Sequence, residues 1–242
     1  MANSESAILP HGLILEPCSP ATIKSWVDFA NNVFRGDQAN GTEGLLSVFY
    51  PDGTNPEIDA WALRAHENAL PKAEQHYFLV RDPSQSDSPI VAAARWADIP
   101  ASTPESRAKA EADALREREE DAKNPIPGIA YDAFEVWRPA QEGGQSRVAG
   151  DRAHVYLKIL AVRDDWQGKG IGKALLRHVC ESAGKKGMPV YLESSAAGVP
   201  VYLKVGFEDK GFIDFDAKKL GHRKSHKHLA MLWEPKGTGS GV

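Results

Sequence analysis

The tightest constraint in this sequence is the run Gln167-Gly168-Lys169-Gly170-Ile171-Gly172, set between a strand pattern and a helix pattern. Upstream, Val155-Tyr156-Leu157-Lys158-Ile159-Leu160-Ala161-Val162 has the β-branched and aromatic content of a strand. After a turn at Arg163-Asp164-Asp165-Trp166, Ile171, Leu175, Val179 and Ala183 recur every four residues, flanked by Leu176 and Cys180. That is the stripe of a helix with one buried face. Lys185-Lys186-Gly187 ends it with positive charge in the last turn and glycine just beyond. The first N–H groups of such a helix lack partners within it and sit at the positive end of its dipole, so they suit an anion. Glycines at 168, 170 and 172 allow close backbone approach, and Lys169 and Lys173 add charge at the rim.

Two familiar glycine loops do not fit. A P-loop needs glycine five residues before its Gly-Lys pair, where Gln167 stands, and Ser or Thr where Ala174 stands. A dinucleotide fingerprint needs its third glycine where Lys173 stands.

Bulk properties narrow the setting. The 242 residues suffice for a sizeable core, and 42% hydrophobic with 26% charged residues is ordinary for a soluble protein. A net charge of -4 gives no basic field for nucleic acid or an anionic membrane. No stretch approaches the ~20 apolar residues of a membrane span, and the N-terminus lacks a signal peptide's basic region. Cys18 and Cys180 alone make no disulfide framework. A cytoplasmic, single-domain protein, monomer or homodimer, is the expectation.

Along the chain, residues 12–16 read as a first strand. Ser19-Pro20 opens a helix with Ile23, Trp26, Val27, Ala30 and Phe34 inward, closed by Gly36. Helical stretches follow at Leu45 to Tyr50 and Glu57 to Leu70, the latter with Ile58, Trp61, Ala62 and Ala65 on one face. Strands at 76–80 and 90–96 flank a turn-rich piece and form an antiparallel hairpin. Residues 100–123 favour a helix from Thr103-Pro104-Glu105 but have almost no apolar face, so a solvated helix is expected and a lid is the alternative. Residues 124–150 hold Tyr131, Phe134 and Trp137, then a flexible Glu-Gly-Gly-Gln-Ser stretch. A strand at 190–193, a short helix at 198–205 and strands near 211–215 and 228–233 complete the pattern. Residues 1–11 and the 236–242 tail are expected to be disordered around a domain at 12–235 with an insertion at about 100–152.

Residues 153–216 resemble the core of the GNAT superfamily of N-acetyltransferases. The matching pieces are LKILAVRDDWQGKGIGKALL (157–176) and YLESSAAGVPVYLKVGF (191–207), the latter containing the Y-x-x-x-G-F element Tyr202 to Phe207. The order of LESS and YxxxGF is similar to that of small-molecule acetyltransferases such as puromycin N-acetyltransferase. The resemblance implies an α+β fold, with a mixed, mostly antiparallel sheet that splays in a V between two parallel strands and carries helices on its faces. It further implies acetyl-CoA as cosubstrate, held between strands 155–162 and 190–194. Its pyrophosphate would rest on Gln167, Gly168, Lys169, Gly170, Ile171, Gly172 and Lys173, and its pantetheine on the backbone of Leu160, Ala161 and Val162.

The implied reaction is direct attack by a primary amine on the thioester. An alkylamine must first lose a proton, and a carboxylate is the usual acceptor. Glu193, at the end of the strand beside the cosubstrate, is the candidate base, with Glu135 and His154 as weaker alternatives. Tyr202 matches the family tyrosine that protonates the departing thiolate. Cys180 lies on the apolar side of its helix and reads as core. The basic run GHRKSHKHL, with His222, His226 and His228 but no acid or cysteine, is not expected to bind a metal. The acceptor is expected to be a small-molecule amine. A protein lysine or N-terminal amine, and a non-catalytic acyl-CoA sensor, are the alternatives. Segments 36–71 and 100–152, which would shape the acceptor site, depart most from a minimal family core.

Overall fold

The structure, a computed structural model, describes residues 9–35, 45–216, 218 and 226–236. The chain order is β1 (Ile14–Pro17), α1 (Ile23–Arg35), α2 (Leu45–Phe49), α3 (Pro56–Ala69), β2 (Gln75–Arg81) and β3 (Ile90–Ile99). Then come α4 (Pro104–Lys123), α5 (Tyr131–Ala149), β4 (His154–Val162), α6 (Ile171–Lys185), β5 (Val190–Ser194), α7 (Val199–Val205), β6 (Glu208–Phe215) and β7 (His226–Trp233). One seven-stranded sheet has the order β1-β2-β3-β4-β5-β7-β6, and only β4 and β5 run parallel. The α+β class, the mixed sheet and the flanking helices are as expected.

The parallel pair is brief. Val155 pairs with Val190 and Tyr156 with Tyr191, and the ladder stops there. β4 stays paired to β3 as far as Val162, so from Leu157 onward it diverges from β5 and a gap opens. The β3–β4 register also slips: Arg95 faces Ile159 but Trp96 faces Leu157, which leaves Lys158 as an extra residue. Such a bulge breaks strict alternation. Leu157 and Leu160 consequently pack into one core with α6, whereas Tyr156 and Ile159 both serve the opposite face.

On the first face, Ile171, Leu175, Leu176, Val179, Cys180 and Ala183 of α6 are buried against β3, β4 and β5, as their spacing predicts. On the second face, Ile23, Trp26, Val27 and Ala30 of α1 pack on Tyr77, Leu79 and Ala93. Phe34, expected on that stripe, is instead 43% exposed, and Ala65 of α3 is also exposed. Phe34 lies one residue before the end of α1, whereas Ala65 lies within α3, the helix that packs against α1. Gly36 lies outside the described residues. Asn55 starts α3 by accepting from the N–H groups of Glu57 and Ile58, with Pro56 at the first turn.

α4 begins in a capping box between Thr103 and Ser106 and buries no residue, so the solvated helix holds. The flexible stretch expected at Glu142–Ser146 is a correction: these residues continue α5 unbroken. The reason is contact. A Cβ on Gly144 would lie 2.3 Å from Ile213 Cγ2 and 3.0 Å from the Tyr191 hydroxyl, so glycine is what lets α5 lie against β5 and β6. Within the N-terminal segment expected to be disordered, Leu9 is 3% exposed in the core and Pro10–Gly12 form a 3-10 turn; residues 1–8 lie outside the described ones. Of the expected tail, only Lys236 is described. No helix among the described residues is long and apolar enough to cross a membrane.

Candidate active site

The glycine loop closes β4 onto α6. Gly168 and Gly170 take the left-handed backbone, at φ 74° and 85°, which a residue with a Cβ adopts only at a cost. Gly170 is the N-cap of α6 and offers no side chain to the helix's first N–H groups. A Cβ at either glycine would meet nothing within 4 Å, so the space over the loop is open. The Gln167 amide donates back to Val162 O at 3.2 Å and to Asp164 Oδ1 at 2.9 Å. Its role is therefore to brace the loop against the end of β4. The Lys169 ammonium lies 4.3 Å from the centre of the Trp166 ring, and His11 bonds to Lys169 O at 3.2 Å. Ile171 is buried under the loop, and Gly172 passes close to the Val162 side chain. Lys173 is half-buried in the first turn.

The gap between β4 and β5 leads away from this loop. The Arg163 N–H donates to Val91 O at 3.0 Å, which fixes the phase of the β3–β4 ladder. Counting back in alternation, Ala161 turns its N–H and C=O towards β3, whereas Leu160 and Val162 turn theirs into the gap. Of the three residues expected to offer backbone, two face the opening.

Tyr202 and Glu193 flank the gap from opposite faces of the sheet. Tyr202 packs into the α6 core, with its ring 5.7 Å from that of Phe207. A Cβ on Gly198 would sit 2.8 Å from both Ser194 Oγ and Tyr202 Cε2, so this glycine is what lets α7 press its tyrosine onto the end of β5. Burial pushes the Tyr202 phenol up to about 12, which keeps it protonated near neutrality.

Glu193 is half-buried on the other face. Tyr156 donates to its Oε2 at 2.5 Å and in turn accepts from the Gln141 amide at 2.6 Å. Its Oε1 is buried with no hydrogen-bond partner among the described residues. Nearby, the buried Tyr191 hydroxyl likewise lacks a partner in good geometry. Burial raises the Glu193 carboxyl above the usual range, and the Tyr156 hydrogen bond pulls it part of the way back. The weaker alternatives are engaged elsewhere. His154 contacts Arg152 O through Nδ1 at 2.8 Å and Gln145 through Nε2 at 2.7 Å, and Glu135 pairs with Arg118 at 2.9 Å.

Sequence reasoning missed Tyr156, Gln141, Arg95 and Lys158, which gather beside Glu193. Lys158 is the bulge residue, its side chain exposed and its ammonium 5.4 Å from the centre of the Tyr156 ring. The Arg95 guanidinium lies 4.9 Å over Tyr77. No sequence signal marks the bulge, and Gln141 lies in a helix that the sequence reading does not expect. Cys180 is buried with its thiol pushed up to about 12 by burial, in keeping with a core role. His228 lies edge-on to Trp137, while His222 and the side chain of His226 fall outside the described residues. Among the described residues, no group of three or more His, Cys, Asp or Glu could hold a metal.

Residues 134–209 match the acetyltransferase (GNAT) domain family. The segment from α5 to the start of β6 is thus similar to a GNAT acetyltransferase domain. A glucosamine 6-phosphate N-acetyltransferase of Trypanosoma brucei brucei is 39% identical over 59 residues, which is 24% of this chain and 40% of that protein. The chain thus aligns with less than half the length of that curated relative. Among solved structures, mosquito arylalkylamine N-acetyltransferase like 5b has a TM-score of 0.61 at 15% identity, covering 92% of this chain and 99% of its own. Arabidopsis thaliana NAA60, solved in complex with acetyl-CoA, has a TM-score of 0.53 at 12% identity, covering 92% and 98%. These two likenesses concern the fold, and they extend over nearly the whole chain.

Proposed function

We propose that the protein is an acetyl-CoA-dependent N-acetyltransferase acting on a primary amine of a small molecule. The observation that carries this reading is the unpaired edge of β4. It opens a gap that starts at the anion-binding loop and ends between Tyr202 and Glu193. Acetyl-CoA fits that gap, with its pyrophosphate on the N–H groups at 168–173 and its pantetheine amides on the backbone of Leu160 and Val162. NAA60, which shares the fold, is crystallised with this cosubstrate.

In the proposed reaction, the acceptor ammonium gives a proton to Glu193 Oε1, directly or through water. The amine nitrogen then attacks the thioester carbon, and an N–H from β4 stabilises the negative charge that develops on the carbonyl oxygen. As the C–S bond breaks, Tyr202 donates its proton to the leaving sulfur. No covalent enzyme intermediate is needed. A raised Glu193 pKa suits a base that must accept a proton near neutrality. Support for a small acceptor comes from the glucosamine 6-phosphate N-acetyltransferase relative and from the similarity of the LESS and YxxxGF order to puromycin N-acetyltransferase. A cytoplasmic setting and a monomer or homodimer complete the proposal.

Release of CoA thiol from acetyl-CoA, measured against amines, peptides and histone tails, tests it. Amine-dependent release with small amines is the expected result. Release with peptides or histone tails alone moves the acceptor to protein. Tight CoA binding with no release for any acceptor leaves a sensor.

A further inference from the structure

Two cations from neighbouring strands, Arg95 and Lys158, lie on the face of the sheet that carries Glu193. Arg95 donates to Gln75 Oε1 at 3.1 Å, but its Nε is buried with no hydrogen-bond partner among the described residues. Lys158 turns its ammonium over Tyr156, the residue that holds Glu193. Neither cation forms an ion pair with a carboxylate among the described residues. Arginines elsewhere in the chain do: Arg81 with Glu16 and Arg163 with Asp165, both at 2.6 Å, and Arg152 with Glu234 at 3.0 Å.

The surroundings cancel this charge only in part. Desolvation by the groups packed around it, then Arg95 and Lys72, push the Lys158 ammonium down to about 8 although the side chain reaches solvent, with Glu193 pulling the other way. His66 bonds to the Tyr77 hydroxyl at 3.0 Å and is pushed down to about 4 by burial and by the same two cations, so it stays neutral. Two neighbouring cations set against the one carboxylate of Glu193 leave a net positive charge, which an acidic group on a ligand balances. The bulge puts Lys158 on the face that carries Glu193, so one small molecule can reach both.

We infer that Arg95 and Lys158 receive an acidic group, a carboxylate or a phosphate, on the acceptor whose amine is delivered to Glu193. This rests on the acetyltransferase reading and narrows its substrate class to acid-bearing amines.

The test compares matched acceptors: phosphoethanolamine against ethanolamine for phosphate, and β-alanine against propylamine for carboxylate. In the native protein, kcat/KM for the acid-bearing member of at least one pair should exceed that of its neutral partner by roughly ten- to a hundredfold, the worth of hydrogen bonds to a charged group. In Lys158→Met that ratio should fall towards one. Because it is a ratio within one preparation, partial loss of folded protein does not distort it. The pair that shows the preference identifies the acid. Equal kcat/KM within both pairs, or a ratio unchanged in Lys158→Met, overturns the inference. If no amine releases thiol, calorimetric binding of the same four compounds to the protein–CoA complex decides. Acid-selective binding lost in Lys158→Met keeps the anion site and removes acetyl transfer, whereas absent or unselective binding removes the site.

Discussion

The two sides of the β4–β5 gap are built from different materials. The loop side is mostly backbone: glycines in left-handed geometry, the open start of α6 and strand groups left without a ladder partner. The face that carries Glu193 is mostly side chain, with Arg95 from β3, Tyr156 and Lys158 from β4, Glu193 from β5 and Gln141 from α5. A backbone site needs only a short, contiguous run with glycine in the right places. A side-chain site needs distant segments to arrive together, and it is free to change its chemistry while the backbone site stays the same.

That contrast can be broken in order of expected effect. Glu193→Gln should lower kcat/KM for the amine by about 10²–10⁴-fold, the usual share of a general base, with acetyl-CoA affinity nearly unchanged. Loss of acetyl-CoA binding in this variant would place Glu193 on the donor side instead. Tyr202→Phe should lower kcat by about a hundredfold and weaken acetyl-CoA binding much less; equal activity removes Tyr202 from the mechanism.

Gly170→Ala attacks the loop alone. An L-residue in left-handed geometry costs about 1–2 kcal/mol, so the Kd for acetyl-CoA should rise by about tenfold with the amine KM little altered. A pH profile probes the other face. Lys158, lowered from the ordinary lysine value to about 8, is charged below that pH and neutral above it. The KM of an acid-bearing amine should therefore climb several-fold between about pH 7 and 9, where an ordinary lysine would still hold its charge. The groups facing Lys158 are Arg95, Lys72, His66, Glu193 and Tyr156, and a neutral amine measured in parallel separates its titration from that of Glu193. Last, Gly144→Ala drives a methyl into Ile213 and should destabilise the fold by about 1–3 kcal/mol, a fall in Tm of several degrees.

Legibility followed the same division. The α6 stripe, the loop and β5 are readable because each is local, and the hydrophobic period and glycine spacing report on local geometry; Tyr202 is marked by the family resemblance of its Y-x-x-x-G-F element. Glu193 was readable only through its place at the end of a strand beside the loop. Its partners were not. Tyr156 looked like one more strand residue, and Lys158 like an outward lysine, because the bulge that aims it arises from pairing with β3. The Gly143-Gly144 pair misled in the opposite sense: glycines that read as a flexible break instead mark where α5 touches the sheet.

The extra residue in β4 has a consequence of its own. A strand normally keeps one parity, odd positions to one side and even to the other, and a chain can lose or gain two residues there without changing which side each reads. Here the parity changes at Lys158, so Tyr156 and Ile159 share a side although they lie three positions apart. Deleting Lys158 would restore uniform counting and still leave Tyr156, Leu157, Ile159 and Leu160 on their present sides. Position 158 can therefore exchange its side chain, or be lost altogether, and with it the chemistry offered to an acceptor, while the residues on either side keep their layers.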